Sequence, residues 1–304
     1  MKVFVTGATG ELGRPAVRAL VHAGHGVTGV ARTAPKAELL GRLGARSLRI
    51  DLFDRSALEE AVVGHDAVLH FATKIPALED AWRAAAWREN DRLRTETTRE
   101  LVDAALTAGV PTLLLESITF LYADGGDRWL EEDAPLARDN DTLRSMLHAE
   151  AELARFTEGG GRGITLRFGS FYGPEAAHTK DVLAAYGRRG RAAIVGSQEG
   201  YISSIHTEDA GRAAAAALDL PAGVYNIVDD EPMTRAAYVE AFGRALGVEP
   251  PHLMAEFLGR LIPRTGPTRR SHRVSNRRFR AASMWRPEYP SVREGWPSVV
   301  GRTV

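Results

Sequence analysis

Short apolar runs alternate with stretches of helical period through the first half of the chain. Runs at 2–6 (KVFVT), 26–31 (GVTGVA), 46–51 (RSLRID), 67–71 (AVLHF), 112–117 (TLLLES) and 163–168 (GITLRF) read as strands. The spacing predicts helices between them at about 11–24, 35–43, 54–63, 79–108 and 140–158. Strands that are apolar throughout, rather than at alternate residues, belong to a parallel sheet covered on both faces. With right-handed crossovers this is an α/β protein on a doubly wound parallel sheet.

After residue 170 the alternation loosens. An alanine-rich helix at 207–219, a strand at 223–228 and a helix at 234–246 follow, then an amphipathic stretch at 253–262 stopped by Pro263. The pattern divides the chain into a sheet domain over 1–170 and a smaller C-terminal lobe over 171–304. The two interleave, because strand 223–228 and helix 207–219 are expected to return to the sheet.

Composition changes this picture mainly by exclusion. Formal net charge is zero, with 39 basic and 39 acidic residues, so no global field selects nucleic acid or an anionic membrane. No apolar run approaches the roughly 20 residues a membrane helix needs. The start, MKVFVTG, runs directly into a strand, so a cytoplasmic protein is expected. The chain has no cysteine, which removes disulfides, thiol nucleophiles and thiolate metal sites together. Lysine is scarce, at Lys2, Lys36, Lys74 and Lys180. Abundant arginine and alanine beside it point to a GC-rich bacterial genome. Few lysines remain to act in catalysis.

The stretch TGATGELGR (6–14) follows the first strand and opens a helix. Gly7 suits a tight turn, Gly10 lets backbone approach a pyrophosphate, and Gly13 lets helix and strand pack closely. The helix N-terminus offers N–H groups and a positive dipole end to phosphates. Thr9, Glu11, Leu12 and Arg14 lie on the same loop and are counted with it as dinucleotide-binding. Sites of this type that take NAD place an acid after the second strand, and VARTAPK (30–36) has none. Arg32 stands there instead, where a guanidinium grips a 2′-phosphate, which favours NADP and leaves NAD open. Asp51, with Leu52 beside it, is placed to accept from the adenine amino group.

These segments resemble the short-chain dehydrogenase/reductase superfamily, in its extended or atypical branch related to NAD-dependent epimerase/dehydratases. TGATGELG looks like the family's glycine motif, and RIDLFDRSAL (49–58) like its adenine-side segment. AVLHFAT (67–73) is similar to the fourth strand, so Phe71, Ala72 and Thr73 are expected against the cofactor ribose. RFGSFYGP (167–174) resembles the turn beside the nicotinamide, which implicates Phe168, Gly169 and Ser170. IHTEDAGRA, GVYNIVDDEPMT and SNRRFRAASMWRPEYPSVREG resemble the closing segments of the extended type. The resemblance implies a Rossmann domain, a small substrate-binding lobe and hydride exchange at C4 of a nicotinamide.

In the family that chemistry is assisted by a Tyr-x-x-x-Lys pair and a Ser or Thr. The lysine holds the nicotinamide ribose and lowers the tyrosine pKa so that it serves as an acid. Laid on that pattern, TLRSMLHAE (142–150) matches at Ser145, Ala149 and Glu150. Thr142 stands at the tyrosine position and Met146 at the lysine position. No tyrosine in the chain has a lysine four residues later. The candidate catalytic hydroxyls are therefore Thr142, with Ser117 and Thr119 from ESITFLY (116–122), and Met146 is left lining the cofactor. A threonine hydroxyl donates a hydrogen bond but does not ionise near neutral pH. Tyr122 and Tyr172 are expected to pack rather than react, and His148 to lie at the surface.

Other constellations are weak. HAGH (22–25) has two histidines but no third ligand in view, which reads as a turn. The basic run RRSHRVSNRRFR (269–280) either grips a substrate phosphate or forms a solvated surface. Trp82, Trp87 and Trp129 hint at an apolar ligand, and core packing explains them equally well.

The leading expectation is an NADP-dependent oxidoreductase acting on a small molecule without the usual tyrosine acid. A quinone, an iminium or an activated enone tolerates that loss, because its reduced product is neutral or a stabilised anion. The alternatives are a cofactor-binding sensor or partner subunit without turnover, and a lyase, cyclase or epimerase on the same fold. No nucleic-acid or membrane partner is expected; a homodimer is left open.

Overall fold

Seven parallel strands form the centre of the computed structural model, which describes residues 1–77, 79–138, 143–189, 193–254 and 266–300. They are β1 (Lys2–Thr6), β2 (Gly26–Val30), β3 (Arg46–Leu48), β4 (Ala67–His70), β5 (Thr112–Ile118), β6 (Arg162–Phe168) and β7 (Gly223–Ile227). Their order across the sheet is β7-β6-β5-β4-β1-β2-β3. Chain direction across the sheet reverses between β1 and β4. That is the switch point at which open α/β sheets leave a crevice beyond the strand ends.

Helices α1 (Gly13–His22), α2 (Ala34–Arg42), α3 (Arg55–Val62), α4 (Arg88–Arg92) and α5 (Thr98–Thr107) fall within the first half. They are followed by α6 (Arg144–Glu158), α7 (Ala177–Arg189), α8 (Thr207–Ala216) and α9 (Arg235–Leu246). The period of two along each strand sorts the core into two layers. Val3 and Val5 pack with Val17 of α1, Leu40 of α2 and Ala213 of α8. Phe4, between them, packs with Leu58 of α3, Leu101 of α5 and Phe156 of α6.

Three elements differ from the periodicity. β3 ends at Leu48 rather than at residue 51, because its neighbour β2 ends at Val30 and no backbone partner remains. The helix expected over 79–108 is broken into a 3-10 turn at Ala84–Trp87, then α4, a π-turn at Leu93–Thr97, and α5. The residues before it are held by indole bonds instead, from Trp82 to the Glu79 carbonyl and from Trp87 to the Ala81 carbonyl. Within the stretch expected as an amphipathic helix at 253–262, Leu253 and Met254 belong to a strand, His252–Met254, paired with Ala193–Val195. The rest of that stretch lies outside the described residues, as do positions 140–142 of the helix expected over 140–158.

The second lobe has its own apolar cluster, in which Tyr172, Tyr238, Phe242 and Val292 surround Trp296. Short strand pairs lie outside the seven-stranded sheet. Ser204–His206 runs parallel to Ser170–Tyr172, and Arg273–Val274 returns to pair with Trp129–Leu130 after β5. Among the described residues no helix is long and apolar enough to cross a membrane.

Helix α8 reaches the sheet only because α1 can approach it closely. A Cβ added at Gly211 of α8 would lie 2.4 Å from the carbonyl carbon of Pro15 in α1. Backbone on that side cannot yield as a side chain would. Gly211→Val is therefore expected to destabilise the protein by about 3 kcal/mol, at the upper end of overpacking costs. Urea titration would check this, and an unchanged midpoint would contradict the packing described.

Candidate functional site

The loop from Gly7 to Gly13 turns directly from β1 into α1. Gly7 has φ +67°, and a Cβ there would sit 2.4 Å from the Phe71 carbonyl oxygen. At Gly13 a Cβ would meet the Gly7 carbonyl oxygen at 2.0 Å. Both glycines are thus required by backbone passing backbone, as the sequence motif implies. No side chain caps α1 at Leu12; the Arg14 N–H donates to the Gly10 carbonyl at 3.2 Å and Pro15 has none, so what the helix start offers the crevice is its Leu12–Gly13 backbone and positive dipole end. This cradle fits a pyrophosphate. Glu11 turns aside from it: its carboxyl accepts from the Ala177 N–H, and burial raises its pKa against the pull of that bond, Lys180 and Arg14.

At the adenine side, Asp51 lies past the end of β3 and accepts from the Phe53 N–H at 3.0 Å, which shapes the turn carrying Leu52. Arg32 follows β2 with its side chain 61% exposed, its Nη1 3.7 Å from a carboxylate oxygen of Glu89. It is placed to reach a charged group at the end of the strand. Arg14 is engaged elsewhere, with Nε 3.1 Å from Glu175. Thr9 and Thr73 are half-buried, whereas Ala72 and Phe71 are buried behind the loop. Across the crevice Phe168 is buried, and Gly169 follows it where a Cβ would lie 2.7 Å from the Ser203 carbonyl oxygen. Ser170 then starts the short strand of the second lobe.

Of the three candidate hydroxyls, the structure describes those of Ser117 and Thr119. Thr142 lies outside the described residues. Ser117 is fully buried and donates to Glu150 Oε1 at 2.6 Å. Its hydroxyl is thus engaged by α6. The reason is register. β5 continues to Ile118, so Glu116 and Ile118 project on one face and Ser117 on the other. Thr119 is buried, and its hydroxyl has no hydrogen-bond partner among the described residues.

Glu150 belongs to a buried network. Arg167 donates to both of its oxygens, at 2.9 and 2.7 Å, and also to the Tyr122 hydroxyl at 3.1 Å. Tyr122 in turn donates to Asn226 Oδ1 at 2.7 Å. Burial raises the Tyr122 pKa despite the neighbouring guanidinium, so this phenol stays neutral and structural. Tyr172 is likewise buried, donating to the Ser291 carbonyl. Met146, at the lysine position, sits in an apolar cluster with Leu121 and Leu143, against which Ile118 and Phe120 pack.

The sequence reading missed a second charged pair. Arg94, in the π-turn, donates to Met146 Sδ at 3.0 Å and lies 3.7 Å from a carboxylate oxygen of Glu116. Both side chains are under a tenth exposed. Burial pushes the Glu116 carboxyl up to about 7, against the pull of Arg94 and with Glu11 adding to the rise. Two signals were available. An acid interrupts the apolar run TLLLES, and Arg94 falls on the helical stripe through Thr98 and Leu101 that is buried. His70, at the end of β4, fixes this turn. Its Nδ1 accepts from the Thr6 hydroxyl at 2.7 Å and its Nε2–H donates to the Leu93 carbonyl at 3.3 Å.

Much of the basic run is matched by acids. Arg277 pairs with Glu131, Arg278 with Glu132 at 3.3 Å, and Arg280 with Asp230 at 2.8 Å. Arg273 stacks on Trp129. Among the described residues no three potential ligands assemble into a metal site. His148 is exposed.

A parallel sheet with a glycine turn at its switch point defines a Rossmann-type protein. The chain belongs to the NAD dependent epimerase/dehydratase family, whose model matches residues 3–227. It is 35% identical over 312 residues to a 3-diazoavenalumate denitrifying reductase of Streptomyces sp, covering 97% of this chain and 99% of that protein. A 2-alkyl-3-oxoalkanoate reductase of Shewanella oneidensis is 25% identical over 285 residues, or 85% of this chain and 71% of that one. A human epimerase family protein solved with NADPH shares the fold, with a TM-score of 0.82 at 22% identity over 99% of this chain and 100% of that one.

Burial holds the His70 ring down at about 4, below the ordinary value of 6.5. Its neutral form is the one that bridges Thr6 and Leu93. A folded-state pKa below the unfolded one stabilises the protein above pH 6.5, and that stabilisation is lost as pH falls through 6.5 toward 4. The shift corresponds to about 3 kcal/mol. Unfolding free energies of the unmodified protein and His70→Asn, taken from pH 7 to 4, should fall less steeply in the variant. Equal slopes would show that this ring does not titrate as described.

Proposed function

We propose that this protein is an NADPH-dependent reductase for an electrophile that takes up hydride without a proton from a protein acid. The observation that carries the reading is Met146 in its apolar cluster, where the family's resemblance places a cationic lysine. A ketone reduced there would develop an alkoxide without the tyrosine and lysine that quench it in the family. A diazonium carbon has no such need. When bound, NADPH would supply the hydride for the new C–H bond, the dinitrogen leaving with the C–N bonding pair and the nicotinamide being left oxidised. The name of the 35% identical relative, a denitrifying reductase of a diazo compound, supports this substrate class. Quinones, iminium ions and activated enones meet the same requirement and form the rest of the class.

The chain's own residues then have separable tasks. The turn from Gly7 to Gly13 and the N-terminus of α1 bind the pyrophosphate. Asp51 and Leu52 border the adenine, and Arg32 grips the 2′-phosphate. Phe71 to Thr73 and Phe168 to Ser170 flank the nicotinamide half. The cluster around Met146 keeps water away from the reacting carbon.

Two measurements test this. NADPH is expected to bind more tightly than NADH by about 1–3 kcal/mol, the range for charge-assisted hydrogen bonds, and Arg32→Asp should erase the difference. Tighter NADH binding by the unmodified protein would overturn the cofactor assignment. In the second, C4-deuterated NADPH is incubated with arenediazonium carboxylates, quinones, enones and β-keto acids. Deuterium is expected at the carbon that lost nitrogen, above the enzyme-free background. Turnover confined to β-keto acids would overturn the substrate class.

A further inference from the structure

The wall formed by α6 has lost its cation, yet a cation stands beside it. Arg94 comes from a different element, the π-turn Leu93–Thr97, whose first carbonyl is held by His70 from the end of β4. Its guanidinium spans the gap between β5 and α6, with Nη1 3.0 Å from Met146 Sδ and 3.4 Å from the Glu116 carbonyl oxygen. The thioether is a weak acceptor, and the Glu116 carboxylate at 3.7 Å is beyond hydrogen-bond length. Three such contacts are a thin set for a buried group with five N–H donors. Arg167 nearby shows the contrast, held by a bidentate carboxylate and further oxygens. Asp91 and Glu150 also act on Arg94 electrostatically, and Glu11 of the glycine loop acts on Glu116. By register Glu116 shares the face of β5 on which Leu114 packs with Val5 of β1 and Val17 of α1, the side of the sheet that carries the glycine turn. π-turns themselves recur where a helix is adapted to a site.

We infer that Arg94 replaces the absent lysine, donating to the hydroxyls of the nicotinamide ribose, with Glu116 as the positioning residue that aims its guanidinium. The cation reaches the ribose from the β5 side of Met146 instead of from α6. This rests on the dinucleotide reading above and deepens it, by naming what binds the nicotinamide half.

The test compares two ligands, NADPH and adenosine 2′,5′-bisphosphate, which lacks the nicotinamide ribose. Arg94→Met is expected to weaken NADPH binding by about tenfold, the loss of one charge-assisted bond, and to leave the bisphosphate within about twofold. Adding Met146→Lys to that variant should restore most of the NADPH affinity, since the ammonium then comes from α6. Equal weakening of both ligands, or unaltered NADPH binding, would overturn the inference. If Arg94→Met does not fold, Arg94→Lys keeps the charge with a different reach and should weaken NADPH alone; parallel loss would again overturn it. Glu116→Gln should shift NADPH affinity in the same selective way. Failure of the unmodified protein to bind either ligand would bring down the dinucleotide reading and this inference together, whereas binding indifferent to Arg94 removes the inference alone.

Discussion

The guanidinium of Arg167 has to be neutralised inside the protein, and the elements around the crevice are arranged by how that is done. It sits on β6 and is held by Glu150 of α6 and by Tyr122 after β5, which passes the bond on to Asn226 of β7. Four pieces of chain are locked at one point. Removing a single partner from such a buried pair costs about 3–5 kcal/mol, because the other charge is left without compensation. Met146 precedes Glu150 by one helical turn on the same face of α6. Fixing Glu150 therefore fixes the wall at which the family's lysine would have stood.

Arg94 and Arg167 reach the same face of α6, through Met146 and Glu150, and have opposite characters. Arg167 is saturated by fixed partners, so it serves the architecture. Arg94 is held loosely by an ion pair and a thioether, so its donors remain adaptable. Burial without full satisfaction is costly in a resting fold, and it persists where a ligand completes the set. Clamping of the Leu93 carbonyl by His70 keeps that loosely held group in one place without using its donors.

Much of this was legible in the sequence, for physical reasons. The inner strands announced themselves because parallel strands bury both faces, and Gly7 and Gly13 because no other residue lets their backbones pass. The substitution of Met146 for lysine could be read directly against the motif. The choice between Ser117 and Thr119 could not, since β5 gives way to a 3-10 turn after Ile118 and the alternation that places Ser117 does not carry through to Thr119. Nor could the position of Arg94 relative to Met146 be found from period, because the π-turn over Leu93–Thr97 breaks the regular spacing. β3 was read too long for a tertiary reason: its length is set by β2, not by its own residues.

The order of strands has a consequence for how the chain is made. β6 ends at Phe168 but is flanked on its far side by β7, which begins at Gly223. During synthesis the growing sheet thus carries an open edge of apolar backbone while more than fifty further residues are added. Most of the second lobe is not yet present over that interval, and Arg273–Val274, which must pair with Trp129–Leu130, arrives later still. Long-range parallel pairing of this kind is slow, and unpaired edges invite association between incomplete chains. The sheet domain is therefore first in the sequence and among the last to be sealed, which makes the yield of folded protein depend on the speed of the ribosome and on shielding of that edge.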